Sequence, residues 1–185
     1  MNTILECASL YESLLYKEFI LTLENGTVIN IIFEKRNFYH LLGLHKLYDI
    51  DVLKGNKIQI YNKIFNEIIT DKHIKKSSFY NKIENRVKYF DIVPELLNSK
   101  IIIDFDPMLL GNTELKNTKY ILYRKHQFGY SHLTIGNKNG KLYPETFIVE
   151  NSKRYINGQT LLDIIHVKVV DFKPNGIDQI NAWLL

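Results

Sequence analysis

The chain has 185 residues, 45% of them hydrophobic and 24% charged, proportions that indicate a globular protein able to bury a core. Its formal charge of +4 permits a polyanionic partner but does not require one. The single cysteine, Cys7, excludes an internal disulfide and a cysteine-based zinc site, and we expect it to be a core residue. With no signal peptide and no apolar run of roughly 18 residues, we expect a cytoplasmic protein without membrane contact.

The first half of the chain is predicted to be mostly helical, with one β-hairpin. In chain order, the predicted elements are a helix over residues 3–17, strands at Phe19–Leu23 and Thr27–Phe33, a short helix at Phe38–Leu44 and helical stripes over residues 57–97. Asn25-Gly26 between the two strands is typical of a tight turn, because both residues tolerate a positive φ. Asn37 is the expected N-cap of the short helix, and Gly43 lies near its end.

The second half changes to the two-residue period of β-strands. Its predicted strands are short runs of β-branched and aromatic residues at Ile101–Phe105, Tyr120–Lys125, Tyr130–Ile135, Glu145–Val149 and Val167–Phe172. Gln159–Ile165 is predicted to be a helix between the last two strands. Helices followed by strands favour an α+β fold with an antiparallel sheet. Since no linker or repeat interrupts the chain, we expect residues 1–185 to form one domain.

Common cofactor and metal motifs are missing from the sequence. It has no glycine-rich phosphate loop, dinucleotide fingerprint or zinc-protease motif, so we predict no cofactor. Asp104 and Asp106 at a strand end suit either a magnesium ion or a turn, and without a third acid nearby we predict no metal site. Ser131-His132 lacks the nucleophile elbow of a serine hydrolase.

Polar residues on the predicted sheet indicate a functional site. In the strand at residues 130–135, we expect Leu133 and Ile135 to face the core. The opposite face then carries Tyr130, His132 and Thr134 together.

Neighbouring strands are expected to add an arginine and a threonine to that face. If Ile121 and Tyr123 point inward, Arg124 points outward. If Phe147 packs inward on the next strand, Thr146 joins the same group. The competing interpretation is that a half-exposed sheet face carries such residues for solubility alone.

Histidine and arginine are the side chains that metal-independent RNA cleavage needs. A base must deprotonate the 2′-hydroxyl, an acid must protonate the departing 5′-oxygen, and cations must stabilise the phosphorane. The pKa of histidine suits the first two tasks, and the planar fork of arginine suits the third. The candidates are Arg124, His132 and either His40 or His45. Five residues rotate an α-helix by about 140°, so both histidines serve one ligand only if Gly43 ends the helix and redirects His45.

Two basic groups offer a surface for an anionic partner. The first comprises Lys72, Lys75, Lys76, Lys82, Arg86 and Lys88, and the second comprises Arg124, Lys125 and His126. Solvated helix surface is the competing explanation for the first group. His40 and Lys46 also have competing explanations. A histidine on an apolar helix is typically a core residue, and a lysine such as Lys46 is typically a solvated charge.

The order of motifs resembles a known family of phage and mobile-element proteins. The matching segments are the Asn25-Gly26 hairpin, Phe33, Phe38-Tyr39-His40-Leu41-Leu42-Gly43-Leu44-His45-Lys46-Leu47, Tyr120–Lys125, Tyr130–Gly136 and Glu145–Glu150, followed by Ser152 and Tyr155. This combination is similar to the fourth phage-type branch of the barnase–EndoU–colicin–RelE-like nuclease class, over roughly residues 15–170.

The resemblance implies a barnase/RelE-like fold, with N-terminal helices and a hairpin packed on a curved antiparallel sheet and RNA lying across the other face. By position it points to four catalytic residues, His40, Lys46, Arg124 and His132. The substrate-binding candidates are Lys125, Thr134, Thr146 and Tyr130.

The expected function is a metal-independent endoribonuclease that cleaves RNA by 2′-hydroxyl attack and leaves a 2′,3′-cyclic phosphate. It would act as a toxin or phage effector in the cytoplasm of a bacterial host, with RNA and a cognate immunity protein as partners. The alternative is a non-catalytic, phage-encoded inhibitor on the same scaffold. Such an inhibitor would bind a host defence ribonucleoprotein of the CRISPR type, or its RNA, through the basic surface.

Overall fold

A computed structural model of the protein describes residues 2–172, which form short helices and a seven-stranded sheet. The helices are α1 (Ile4–Glu12), α2 (Lys35–Leu41), α3 (Lys57–Phe65), α4 (Asp71–Ile74), α5 (Glu84–Lys88) and α6 (Ile92–Leu96). The strands are β1 (Lys17–Leu23), β2 (Val28–Ile32), β3 (Ile101–Asp104), β4 (Thr118–His126), β5 (Gly129–Lys138), β6 (Lys141–Glu150) and β7 (Thr160–Asp171). Residues 173–185 of the expected domain lie outside the described range.

The N-terminal elements begin and end at residues with clear capping chemistry. The Thr3 hydroxyl accepts from the Glu6 backbone at 3.1 Å, and the Glu6 carboxylate accepts from the Thr3 backbone at 2.6 Å, which closes a capping box at the start of α1. The helix ends at Glu12, five residues before the predicted end, because the chain then turns into β1. The predicted hairpin is confirmed, with Gly26 at a φ of +84° in its turn.

All neighbouring strands pair antiparallel, in the spatial order β2-β1-β7-β3-β4-β5-β6. The sheet curls into a half-barrel, so that β2 and β6 at its two edges approach each other and α2 packs against β6. The predicted α+β fold with a curved antiparallel sheet is therefore confirmed.

Apolar side chains cover the middle strands on both faces. The inner face carries the main core, in which Leu122 and Leu133 pack with helical residues such as Phe38. The inward direction predicted for Leu133 and Ile135 is confirmed, since both are fully buried in this core. The outer face carries a smaller cluster around Ile121, which the segments after β3 and β6 cover.

The pairing of β4 with β5 shows that the predicted direction of Arg124 is wrong. Tyr123 pairs with His132 and Arg124 pairs with Ser131, and directly paired residues point to the same face. Arg124 therefore lies on the inner face and His132 on the outer face. Because four consecutive residues, 120–123, are apolar, the two-residue period gives no direction in this strand.

Two further predictions of local structure are wrong. Gln159–Ile165 is not a helix, since residues from Thr160 onward form the first half of β7 and pair with β3. Asn37 is not an N-cap, because α2 already begins at Lys35. The side-chain oxygen of Asn37 instead accepts from the Glu34 backbone at 2.8 Å, which satisfies a donor at the helix start.

Candidate active site

A polar pocket of about 530 Å³ opens at the β6 edge of the sheet and gathers side chains from distant parts of the chain. Its lining residues are His40, His45, Lys46, Arg86, Asn112, Thr113, Glu114, Leu115, Glu145, Thr146, Ile148, Arg154 and Tyr155. Two of the four predicted catalytic residues, His40 and Lys46, are among them, together with the predicted substrate-binding residue Thr146. We call this cavity the β6 pocket.

Gly43 brings the two histidines of the β6 pocket together. Helix α2 ends at Leu41, and Gly43, with a φ of +80°, turns the chain into a 3₁₀ helix at Leu44–Lys46. As a result, the ring centroids of His40 and His45 lie 5.0 Å apart, although a continuous helix would hold them on different faces. The redirection of His45 by Gly43 is thus the arrangement that the structure shows.

We expect the substitution Gly43→Ala to lower the free energy of unfolding by about 2 kcal/mol or more, since a left-handed conformation alone costs an alanine about 1–2 kcal/mol. The added methyl group also meets Ile83 at 3.0 Å and Arg86 at 3.1 Å. Gly26→Ala is the matched control, because Gly26 has a similar φ of +84° with no atom within 4 Å of the added methyl group. Urea denaturation of both variants measures the difference, and equal losses would contradict crowding at Gly43.

Arg86 is the buried cation of the β6 pocket, with only 8% of its surface exposed. Its Nη1 donates to the Thr146 hydroxyl at 2.6 Å and to the backbone carbonyls of His40 and Leu41 at 3.3 and 3.4 Å. No carboxylate among residues 2–172 forms a salt bridge with it. A buried guanidinium held in place by neutral oxygens has donors free for an anion, such as a phosphate.

Desolvation and positive charge act together on the pKa values in the β6 pocket. Burial lowers the pKa of Arg86 to about 10, which leaves it cationic at neutral pH. Desolvation lowers the pKa of His45 to about 4, with smaller contributions from His40, Arg86, Lys46 and Lys57. Desolvation, followed by the charge of Lys57, also lowers the pKa of His40. Both imidazoles are therefore neutral at pH 7 when the pocket holds no anion.

A hydrogen-bonded group of threonines lies beneath the floor of the β6 pocket. The buried Thr134 hydroxyl accepts from the Thr146 backbone at 3.1 Å and donates to the Glu145 carboxylate at 3.4 Å. Thr118 also donates to that carboxylate. Because Thr134 is fully buried, its position is that of a residue that holds Glu145 and Thr146 at the pocket, without contact to a ligand.

His132 lies under the outer surface of the sheet, next to the β6 pocket but outside it. It is fully buried, its ring is 5.5 Å from that of Tyr155, and Tyr130 packs at 6.3 Å on another side. Its Nε2 lies 3.5 Å from the Glu150 carboxylate, and neither ring nitrogen makes a hydrogen bond with residues 2–172. The predicted position opposite the core is confirmed, but the side chain does not reach a solvent-exposed cleft.

Arg124 and Lys125 lie at a different groove. Arg124 forms an exposed salt bridge with Glu95 of α6, and both it and Lys125 line a shallow depression near Lys100. The structure therefore does not bring Arg124 together with His132 or with His40.

Comparison with known proteins gives the family. Residues 3–173 match the family described as phage-Barnase-EndoU-ColicinE5/D-RelE like nuclease4. The chain belongs to this nuclease family. The match covers nearly all of the described residues and confirms the resemblance drawn from the Phe38–Leu47 segment and the strands that follow it. No curated protein and no solved structure matches the chain.

The two aspartates considered for magnesium have structural partners. Asp104 accepts from Lys119 at 2.6 Å, and Asp106 accepts from the Met108 backbone at 2.9 Å, which begins a 3₁₀ turn. Within residues 2–172, no group of three or more His, Cys, Asp or Glu side chains is arranged to hold a metal ion. No helix in that range combines the length and apolar character needed to cross a membrane.

Sequence reasoning assigned Arg86 to a basic surface and therefore missed its place in the pocket. The lysines of that group are exposed, as the solvated-surface explanation predicts: Lys72, Lys75, Lys76, Lys82 and Lys88. Arg86 differs because it stands three residues after Ile83 and next to Val87, on the apolar stripe that faces the core. An arginine on an apolar stripe was therefore the pattern in the sequence that could have indicated a buried cation. Arg154 and Glu114 reach the pocket through loops, for which the sequence held no signal.

Proposed function

We propose that the protein is a metal-independent endoribonuclease that leaves a 2′,3′-cyclic phosphate and a 5′-hydroxyl. The observation that carries the proposal is the pair of imidazoles, with ring centroids 5.0 Å apart, beside a buried arginine that forms no salt bridge among residues 2–172. In this reaction the 2′-oxygen attacks the adjacent phosphorus, and the bond between phosphorus and the 5′-oxygen breaks. The chemistry needs one proton acceptor, one proton donor and a cationic site for the phosphoryl oxygens.

Arg86 is the proposed anchor of the scissile phosphate. Its fixed guanidinium offers a planar fork in a partly desolvated wall, where charge-assisted hydrogen bonds are stronger than in water. Lys46 and Arg154 line the same pocket and supply further positive charge. Since the negative charge on the phosphorane grows in the transition state, cations that are already in place stabilise it without reorganisation.

His40 and His45 are the proposed proton-transfer groups. Both line the β6 pocket, and desolvation, with a smaller contribution from the cations around them, lowers both pKa values in the free protein. A bound phosphate offsets that positive charge and raises both pKa values toward neutrality, where proton transfer in either direction is easiest. Substrate binding thus prepares the pair for catalysis.

Cleavage of matched oligonucleotides in EDTA tests the proposal. We expect the purified protein to cut an oligoribonucleotide and leave the deoxyribonucleotide of the same sequence intact, because only RNA carries the attacking 2′-hydroxyl. Mass spectrometry of the fragments should show a 2′,3′-cyclic phosphate. Equal cleavage of both strands, or complete loss of cleavage in EDTA, would contradict the mechanism.

A role as a toxin or phage effector follows from this activity, since unrestrained RNA cleavage harms a host cell. Expression of the protein alone should then arrest growth in bacteria, and a cognate immunity protein should relieve the arrest. Healthy growth with active protein in the lysate would contradict the toxin role.

The exposed lysines in and between helices α4 and α5 favour a second candidate, a non-catalytic inhibitor of a host defence ribonucleoprotein. Lys72, Lys76 and Lys82 stand on the surface of that region, apart from the residues that line the β6 pocket. Exposed lysines bind RNA through its phosphates with little sequence preference. A stable complex with such a ribonucleoprotein, formed by a protein that cuts no RNA, would support the second candidate over the first.

A further inference from the structure

Lys57 contacts the ring of His40. Its ammonium nitrogen lies 2.6 Å from Nε2 of His40, and it also lies 5.8 Å from the centre of the Tyr39 ring. His40 lines the β6 pocket, whereas Lys57 is not among the lining residues. Lys57 is the first residue of α3, and the Asn56 side chain fixes that helix start by accepting from the Ile58 and Gln59 backbones. The backbone that carries the lysine is therefore fixed, and its ammonium group contacts His40 without lining the pocket.

This contact determines which nitrogen of His40 carries the proton. A lysine ammonium group has three donors and no acceptor, so Nε2 must accept the hydrogen bond. Neutral imidazole then carries its proton on Nδ1. The two ring nitrogens point in widely different directions, which turns the Nδ1–H bond away from Lys57.

We propose that Lys57 is a positioning residue that makes His40 the proton donor to the departing 5′-oxygen and leaves His45 as the base. The inference rests on the proposed function and distinguishes the roles of two histidines that the pocket geometry alone leaves equivalent. No lysine among residues 2–172 forms a hydrogen bond with His45, and its imidazole lines the same pocket in neutral form.

The proton balance of the step is complete. His45 takes the proton of the 2′-hydroxyl as the 2′-oxygen attacks phosphorus. As the bond to the 5′-oxygen breaks, Nδ1–H of His40 protonates the leaving oxygen, and Nε2 of His40 takes a proton from the Lys57 ammonium group. Solvent then returns a proton to Nδ1 of His40 while Nε2 gives its proton back to Lys57, which restores the starting form, and His45 releases its proton to water.

Several charged groups besides Lys57 surround His40. His45 and Lys46 approach from the 3₁₀ helix, and Arg86 of α5 donates to the His40 backbone carbonyl. Desolvation is the largest cause of the lowered pKa of His40, and Lys57 is the second. Removal of Lys57 should therefore raise this pKa as well as free Nε2.

Nitrogen-15 NMR of the histidine rings tests the contact independently of activity. At a pH where His40 is neutral, we expect the wild-type protein to show the proton on Nδ1. In Lys57→Met, which keeps an unbranched side chain one atom shorter and without the charge, we expect a change toward the Nε2–H form and a higher His40 pKa. Lys63→Met is the matched control, because Lys63 is an exposed lysine on the same helix. A wild-type proton on Nε2, or identical spectra for wild type and Lys57→Met, would overturn the inference.

Two substrates with different leaving groups test the catalytic role. A dinucleotide needs a proton on its departing oxygen, whereas a ribonucleoside 3′-(4-nitrophenyl phosphate) releases a stable phenolate without one. Since a general acid contributes roughly 100- to 10,000-fold, we expect Lys57→Met to slow dinucleotide cleavage about 100-fold. Cleavage of the nitrophenyl ester should change less than about 3-fold, and Lys63→Met should affect neither substrate.

The outcomes separate this inference from the proposed function. A wild-type protein that cleaves both substrates, with equal losses in Lys57→Met, overturns the role of Lys57 and leaves the ribonuclease proposal intact. A wild-type protein that cleaves neither substrate overturns the proposed function, and the role of Lys57 with it. Full activity of Lys57→Met on the dinucleotide also overturns the inference.

Discussion

Replacing Arg86 with lysine is expected to lower kcat/KM for RNA cleavage by about 100- to 1,000-fold, the range seen when one preorganised donor to a transition-state anion is lost. Lysine keeps the positive charge, so the loss comes from geometry. The planar fork of Arg86 is fixed by Thr146 and two backbone carbonyls, and a lysine cannot keep these contacts while also offering two parallel donors to a phosphate.

Arg124→Lys is the matched comparison for Arg86→Lys. Arg124 is an exposed arginine of the same charge, and it forms a salt bridge with Glu95 at a separate groove. We expect its replacement to change kcat/KM less than about 3-fold, since exposed ion pairs contribute little. Thermal unfolding of both variants checks that each remains folded in the assay. A large loss in Arg124→Lys with an active Arg86→Lys would move the active site to that groove.

The elements that the sequence predicted well are those whose pattern has one explanation. The Asn25-Gly26 turn admits almost only a hairpin, and Leu133 and Ile135 alternate with polar residues, so their direction follows from the period of a strand. In contrast, Gln159–Ile165 has apolar residues at spacings that fit a helix as well as a strand. Long-range pairing with β3 and β1 decides that segment, and no local pattern reports such pairing.

The candidate site was harder to predict because it depends on what covers the sheet. His132 and Thr134 were placed on the correct face, but Tyr155 and the loop after β3 cover that face, so the accessible site lies at the β6 edge. His40 was one of two histidines that the chemistry left open, and the family resemblance singled it out together with Lys46. Arg86 lies 40 residues or more from both in sequence and joins them only because α5 packs against β6. Proximity of this kind is a property of the tertiary structure.

His45→Gln is expected to lower kcat/KM by roughly 100- to 10,000-fold, the contribution of a general base. Glutamine keeps a polar side chain of similar reach but cannot accept a proton near neutral pH. Comparison of its kcat/KM with that of the wild type measures the loss.

The same base should set the pH dependence of the wild-type protein. Because the neutral imidazole is the active form and the pKa of His45 is about 4, wild-type kcat/KM should stay level from pH 7 down to about pH 5 and then fall as the base becomes protonated. In Lys46→Met, we expect kcat/KM to fall at a higher pH than in the wild type, since the charge of Lys46 is one of those that lower the pKa of His45.

The fall in kcat/KM at low pH must be distinguished from unfolding, because both depend on the protonation of His45. The unfolded chain protonates His45 near pH 6.5 and the folded chain near pH 4, so the unfolded state binds more protons between these values. Stability therefore decreases as the pH falls through that window, and circular dichroism at each pH shows where the fold is lost. A kinetic midpoint near pH 6.5 in fully folded protein would contradict His45 as the base. If the residual activity of His45→Gln falls at the same low pH as that of the wild type, another group causes the fall. His40→Gln would then be the first variant to test.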